Sequence, residues 1–191
     1  PLVLSESDLC RVLEAAAPFA ADAGEYTVEA GRPDVFTDEK LRLLKDYGVT
    51  RICVNPQSFC DATLERIGRR HTSADIYRAY EMAQKFGFDV NFDLIAGLTG
   101  ETCEEFEESV DRAIALSPEN ITVHTLCLKK GAQLKEEESF LNVERIQEMI
   151  AYSRERLSKS GYVPYYMYRQ KYMAGNCENT GWTKPGKACV Y

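Results

Sequence analysis

Four short stretches of the chain alternate apolar and polar residues with a period of two, and the segments between them have the wider spacing of amphipathic helices. Asn91–Ala96 (N-F-D-L-I-A) is the clearest of the four. Phe92 and Leu94 fall on one face of an extended segment, and Asn91 and Asp93 fall on the other. Glu25–Ala30, Val49–Asn55 and Asn120–Leu126 are the other three, and Tyr162–Tyr168 is a candidate fifth. Helix signals fill the gaps. Ser5 as N-cap, with Asp8 at the third helical position, opens a helix to Phe19 lined by Leu9, Val12, Leu13 and Ala16. Thr37 caps a helix carrying Leu41, Leu44 and Tyr47, which Gly48 closes. Asp61 is expected to cap a short helix to Ile67, and Ser73 opens one with Ile76, Tyr80 and Ala83 on one face. Gly97 and Gly100 break the Asn91 strand. Thr102 and Glu105 then form a capping box for a helix to Leu116, and Asn142–Lys159 is long and amphipathic.

Strands alternating with helices imply parallel strands joined by right-handed crossovers. Polar residues recur in the C-terminal halves of these strands: Thr27 and Glu29, Asn91 and Asp93, Thr122 and His124. A parallel sheet covered by helices on both faces would carry near-continuous apolar strands instead. One polar face suits the interior of a (βα) barrel, at the end where barrel enzymes hold their ligands. Four or five strands fall short of a full barrel of about 250 residues. The fold class read here is therefore α/β, a partial barrel of parallel strands. With no Pro- or Ser-rich linker, residues 1–168 form one partial barrel. Residues 169–191, with Gly175, Gly181 and Gly186, are expected to be an irregular C-terminal extension.

Composition narrows the class. The 191 residues are 28% charged and 45% hydrophobic with a net charge of −7, and Lys129-Lys130 and Arg69-Arg70-His71 are short basic runs. No nucleic-acid partner is expected from that balance. No apolar run approaches the ~18 residues of a membrane span. The first residue is Pro1 and no charged-then-apolar leader follows it, so no secretion signal is expected. Seven cysteines without a C-x-x-C pair point to a reducing, cytoplasmic setting and to small buried hydrophobes, and they form no metal site by spacing.

Four segments in register carry a family resemblance: Glu25-Tyr-Thr-Val-Glu-Ala, Arg51-Ile-Cys-Val-Asn-Pro-Gln-Ser-Phe, Ile67-Gly-Arg-Arg-His and Asn91-Phe-Asp-Leu-Ile-Ala-Gly-Leu-Thr-Gly-Glu-Thr. Together they resemble the radical S-adenosylmethionine enzymes of the oxygen-independent coproporphyrinogen III oxidase family. The tail Pro164-Tyr-Tyr-Met-Tyr-Arg-Gln-Lys, with Ala174-Gly-Asn and Glu178-Asn-Thr-Gly, looks like the coproporphyrinogen dehydrogenase-like branch.

The resemblance implies a radical-SAM barrel whose first βα unit is missing from this chain. It also implies S-adenosylmethionine and a [4Fe–4S] cluster as cofactors. The family's C-x-x-x-C-x-x-C cluster ligands are absent from the sequence and are expected upstream of Pro1. The implied reaction is oxidative decarboxylation of coproporphyrinogen III to protoporphyrinogen IX in porphyrin (haem) biosynthesis. Its substrate is a tetrapyrrole, and its electron donor is a protein such as flavodoxin or ferredoxin. Haem delivery, known among members of the same superfamily, is the alternative, as is a radical reaction on another substrate.

Residue by residue, the resemblance places Glu29 at the cofactor's amino group, where a carboxylate suits an ammonium. Gln57 and Arg69 match cofactor-contacting positions, Arg69 offering a fork of donors to the cofactor's carboxylate. Asp93 matches an acceptor for ribose hydroxyls, and Ile95 and Cys127 fall where the adenine is contacted. His124 is read as a satisfied barrel residue rather than a catalytic base. Tyr165, Tyr166, Tyr168 and Tyr172 are read as core and rim packing.

Overall fold

The computed structural model describes residues 1–127, 142–169 and 177–189. Four strands, β1 (Thr27–Gly31), β2 (Arg51–Gln57), β3 (Asp89–Ala96) and β4 (Asn120–Thr125), are parallel neighbours in chain order. Helices cross between them: α2 (Asp38–Asp46) after β1, α3 (Asp61–Arg66) and α4 (Ser73–Lys85) after β2, and α5 (Cys103–Leu116) after β3. Helix α1 (Glu6–Ala20) precedes the sheet, and α6 (Val143–Lys159) follows β4. A single 3₁₀ turn, Pro33–Val35, follows β1.

The helix starts form as their caps dictate. Ser5 accepts the Asp8 amide at 3.2 Å. Thr37 accepts the Lys40 amide at 3.3 Å. Thr102 and Glu105 each accept the other's backbone N–H, closing both halves of a capping box. Each such cap is worth about 1 kcal/mol.

Alternation along the strands divides the sheet into two faces. Val28, Ala30, Ile52, Val54, Val90, Phe92, Leu94, Ile121 and Val123 belong to the core under the helices. Phe92 is fully buried, its ring 6.2 Å from Phe59 and 5.4 Å from Tyr80. The opposite face carries Glu29, Arg51, Cys53, Asn55, Asn91, Asp93, Ile95, Thr122 and His124, so the expected polar interior is present.

At the N-terminal end of the strands this interior is closed by charge. The Arg51 guanidinium, buried, donates to Glu25 at 3.1 Å, to the Lys187 carbonyl at 3.0 Å and to Asn120, and lies 3.6 Å from Asp89. Lys187 donates to Asp89 at 2.9 Å. Residues 184–189 thus cover the bottom of the sheet, which leaves the C-terminal end for a ligand.

Three expectations need correction. First, residues 169–191 are not uniformly irregular: Asn179–Thr183 forms a strand (β6) that is buried along its whole length. It lies between β4 and β5 (Val163–Tyr168) and is antiparallel to both, giving the order β1-β2-β3-β4-β6-β5. The alternation of Thr180, Trp182 and Gly181 is too short and too glycine-rich to read as a strand, and only pairing on both sides makes it one. Second, Cys60, not Asp61, is the N-cap of α3. The Asp61 carboxylate instead accepts the Ser73 amide at the start of α4, at 2.6 Å. Third, only Cys53 and Cys189 are buried; the other five cysteines are partly exposed, and none of the seven is in a disulfide. Lys129, Lys130, Tyr172, Gly175 and the Ala174-Gly-Asn stretch lie outside the described residues. Among the described residues no helix is long and apolar enough to cross a membrane.

Candidate functional site

The C-terminal ends of β1 to β4 bring most of the candidate residues to one mouth. Glu29 is exposed on β1 and pairs in register with Cys53 on β2, which pairs with Asn91 on β3. Two residues further along β3, Asp93 sits on the same face. The Cys53 thiol registers both carboxylates: burial first, then the charges of Glu29 and Asp93, push it far above the ordinary thiol range. A thiol so raised is neutral and inert, so Cys53 is a spacer between two acidic groups, not a nucleophile.

Gln57 ends β2 in a left-handed conformation, φ +68°, although it is buried and is not a glycine. Such backbone costs about 1–3 kcal/mol and persists only where its surroundings enforce it. Those surroundings are visible on both sides. The His71 ring, buried, bonds the Pro56 carbonyl at 3.0 Å through Nε2. Burial lowers the His71 pKa, so the ring is neutral near pH 7 and Nε2 carries the proton it donates. On the other side Ser58 donates to the fully buried Glu101 carboxyl at 2.5 Å, and its hydroxyl also accepts the Cys60 amide at 3.0 Å. Burial pushes Glu101 up to about 7. Arg145 of α6 donates to the Glu101 backbone carbonyl, so three segments meet at this residue. Spacing alone gave no sign of either clamp: His71 reads as part of a basic run, and Glu101 carries no signal of its own.

Arg69 follows α3, its amide bonded to the Leu64 carbonyl at 2.8 Å. Burial, then the nearby Arg32 charge, lowers its pKa, which sets it beside the Arg32–Asp34 pair that follows β1. Ile95 is partly exposed on the Asp93 face and pairs in register with His124. Cys127 lies just past β4, where the Leu126 amide bonds the Ala96 carbonyl at 3.0 Å and carries the β3–β4 pairing onward.

Asp93 is held from two sides. Asn91 donates to it at 2.8 Å and in turn accepts from Thr122 at 3.1 Å. His124 Nε2 lies 3.6 Å from the Asp93 carboxylate, and His124 Nδ1 lies 3.5 Å from the Tyr168 hydroxyl. His124 is thus a barrel residue with a neighbour at each ring nitrogen, and it bridges Asp93 to β5. Tyr168 is partly exposed, and it is wall, not core.

The donor set can be tested against the implied cofactors. Glu29 suits an ammonium, the half-buried Arg69 guanidinium suits a carboxylate, and Asp93 suits hydroxyl donors. All of them lie at one end of the sheet, so the residues present fit S-adenosylmethionine. They do not fit a [4Fe–4S] cluster, which takes thiolates: among the described residues no three acidic, thiol or imidazole groups converge as metal ligands.

A family model described as the radical SAM superfamily matches residues 8–113. The chain is 40% identical over 178 residues to the oxygen-independent coproporphyrinogen-III oxidase-like protein HemZ of Bacillus subtilis, covering 91% of this chain and 36% of that protein. It is 35% identical over 133 residues to the heme chaperone HemW of the same organism, covering 68% of this chain and 35% of that one. Among solved structures, coproporphyrinogen III oxidase (HemN) from Escherichia coli matches with a TM-score of 0.79 over 97% of this chain and 42% of that chain. At 20% identity that likeness speaks for the fold. The chain thus spans about a third of the length of these curated relatives.

Proposed function

The chain belongs to the radical SAM superfamily, and from that membership we propose that it is the cofactor-holding part of an enzyme that oxidatively decarboxylates coproporphyrinogen III to protoporphyrinogen IX without oxygen. The observation that supports this reading best is the set Glu29, Gln57, Arg69 and Asp93. They stand on successive βα crossovers at one mouth, with charges complementary to an amino-acid sulfonium nucleoside. The 40% identity to the oxidase-like protein HemZ supports the substrate class, a tetrapyrrole.

In this reading Glu29 accepts from the cofactor's ammonium, and Arg69 holds its carboxylate through paired donors. Asp93, oriented by Asn91 and His124, accepts from the ribose hydroxyls. Gln57 presents its left-handed backbone and amide at the end of β2. Ile95 and the chain at Cys127 lie against the adenine. The cluster would be held by thiolates expected upstream of Pro1. Bound together, cluster and cofactor supply one-electron chemistry able to remove hydrogen from an unactivated carbon. A protein of the flavodoxin or ferredoxin type delivers the electron. The residues of this chain bind, orient and shield; none is assigned a proton-transfer role.

Similarity to the heme chaperone HemW supports a second reading, haem binding and delivery. Anaerobic incubation of the cluster-loaded holoprotein with S-adenosylmethionine, a reductant and coproporphyrinogen III separates the two. The oxidase reading expects 5′-deoxyadenosine and protoporphyrinogen IX. Stoichiometric haem binding with neither product would replace it with the second.

A further inference from the structure

We propose that Tyr165, Tyr166 and Tyr168, with His124 at their edge, form the substrate wall of the interior and take a ring π-system that carries carboxylate groups. The inference rests on the reading above, in which the facing strands hold S-adenosylmethionine. Regular alternation would turn only one of Tyr165 and Tyr166 inward. The register between β5 and β6 breaks between Pro164 and Tyr166, setting an extra β5 residue against β6. Both rings then reach the interior. Burial raises the Tyr165 hydroxyl, with Tyr166, Cys189, Arg51 and Cys53 the neighbours that also act on it. Tyr165 therefore stands over the closed bottom of the sheet, and Tyr166 meets it edge-on with ring centroids 4.8 Å apart.

Tyr166 pairs with Gly181 of β6, and the glycine is what lets it lie flat. A Cβ built at Gly181 would come within 2.0 Å of Tyr166 Cε1, inside the ring's own volume. Gly181 is not among the positive-φ glycines, so the position needs space, not conformational freedom. Tyr168 stacks on Tyr166 with centroids 6.0 Å apart and planes within 13°. The wall runs from the buried end of the interior to its open mouth, and it ends in two polar groups, the Tyr168 hydroxyl and the His124 imidazole. Aromatic faces select a π-system. With the imidazole N–H turned to Asp93, the Tyr168 O–H is the donor at this edge, and it selects an acceptor, most strongly a carboxylate. Asp93, on the far side of His124, orients the imidazole and repels a second anion, so a ligand carboxylate is steered to the Tyr168 side.

The experiment is a fluorescence titration of the cluster-loaded holoprotein with coproporphyrin III and with its tetramethyl ester, in one mild detergent, alongside a titration with S-adenosylmethionine. Tyr166→Leu and Gly181→Val are expected to weaken coproporphyrin III about tenfold, while Tyr166→Phe binds as the unaltered protein does. Tyr168→Phe is expected to abolish the preference for the acid over the ester. Cofactor affinity is expected to stay within about twofold in the Tyr166, Tyr168 and Gly181 variants, a split that a general loss of structure would not give. Unchanged porphyrin affinity in Tyr166→Leu, or an unchanged acid preference in Tyr168→Phe, overturns the proposal. Failure of the unaltered protein to bind S-adenosylmethionine would instead defeat the cofactor reading and leave the wall to stand or fall on the porphyrin data.

Discussion

Glu101→Gln tests the clamp behind Gln57 with a magnitude that follows from the structure. The Glu101 side chain is fully buried, accepts from Ser58 at 2.5 Å through one oxygen, and has no partner at the other. Burial raises the carboxyl from 4.5 to about 7, the Glu105 charge adding to the rise and Ser58, Arg145 and Arg66 opposing it. The folded protein therefore holds this proton more tightly than the unfolded chain. Its stabilising contribution is full below pH 4.5 and is lost as pH rises through 7. At about 1.4 kcal/mol per pH unit, the loss is about 3 kcal/mol. Glutamine keeps the acceptor for Ser58 and does not titrate. Thermal melts of both proteins at pH 5, 6, 7 and 8 isolate the group, because titration of His71 and the surface residues cancels in the difference. Between pH 5 and 8 about 2.5 kcal/mol of that stabilisation is lost, so relative to the variant the unaltered protein is expected to lose roughly 5–10 °C in Tm. A difference that stays flat with pH would refute the burial argument and, with it, the view that Glu101 stays largely neutral below pH 7.

Gly97→Ala is expected to cost about 1–3 kcal/mol, because φ is +89° and the new Cβ would lie 2.7 Å from Ile146 Cδ1; urea denaturation measures it. Arg51→Met leaves Glu25 and Asp89 without their shared cation; a loss of about 3–5 kcal/mol is expected, and an unchanged denaturation midpoint would show the bottom network to be dispensable. The β5 strand, an edge among the described residues, exposes Val163 and Met167, and an unpaired apolar edge invites strand-to-strand association. Light scattering is expected to show concentration-dependent self-association that Met167→Lys reduces; a clean monomer at all concentrations contradicts this.

Much of the fold is legible because local and tertiary signals agree. Phe92 and Leu94 against Asn91 and Asp93 give both the β3 strand and its orientation, and Thr102 with Glu105 gives the start of α5 to the residue. Legibility fails where a residue's role is set by something distant in sequence. β6 has no periodicity of its own and exists because β4 and β5 flank it. Asp61 looks like the cap of its own helix, yet it serves the Ser73 amide twelve residues on. The α4 box uses Thr72 with Asp75, an aspartate where a glutamate is the usual signal, so the cap goes unread although Ser73 is rightly read as the first helical residue. At the site, the strand-end residues Glu29 and Asp93 stand out as polar positions in apolar strands. The groups that fix Gln57 and Asp93 do not: His71, Glu101 and the Tyr168–His124 pair become visible only when crossovers and a bulged edge strand bring them together.

The central claim is that Glu29 and Asp93 flank one cofactor across β1, β2 and β3. Equilibrium titration of the cluster-loaded holoprotein with S-adenosylmethionine tests it most directly, comparing the unaltered protein with Glu29→Ala and Asp93→Ala. Each carboxylate forms a charge-assisted bond in this account, so each variant is expected to lose about 10- to 100-fold in affinity while its melting transition stays close to that of the unaltered protein. Affinities that match the unaltered protein in both variants would contradict the claim.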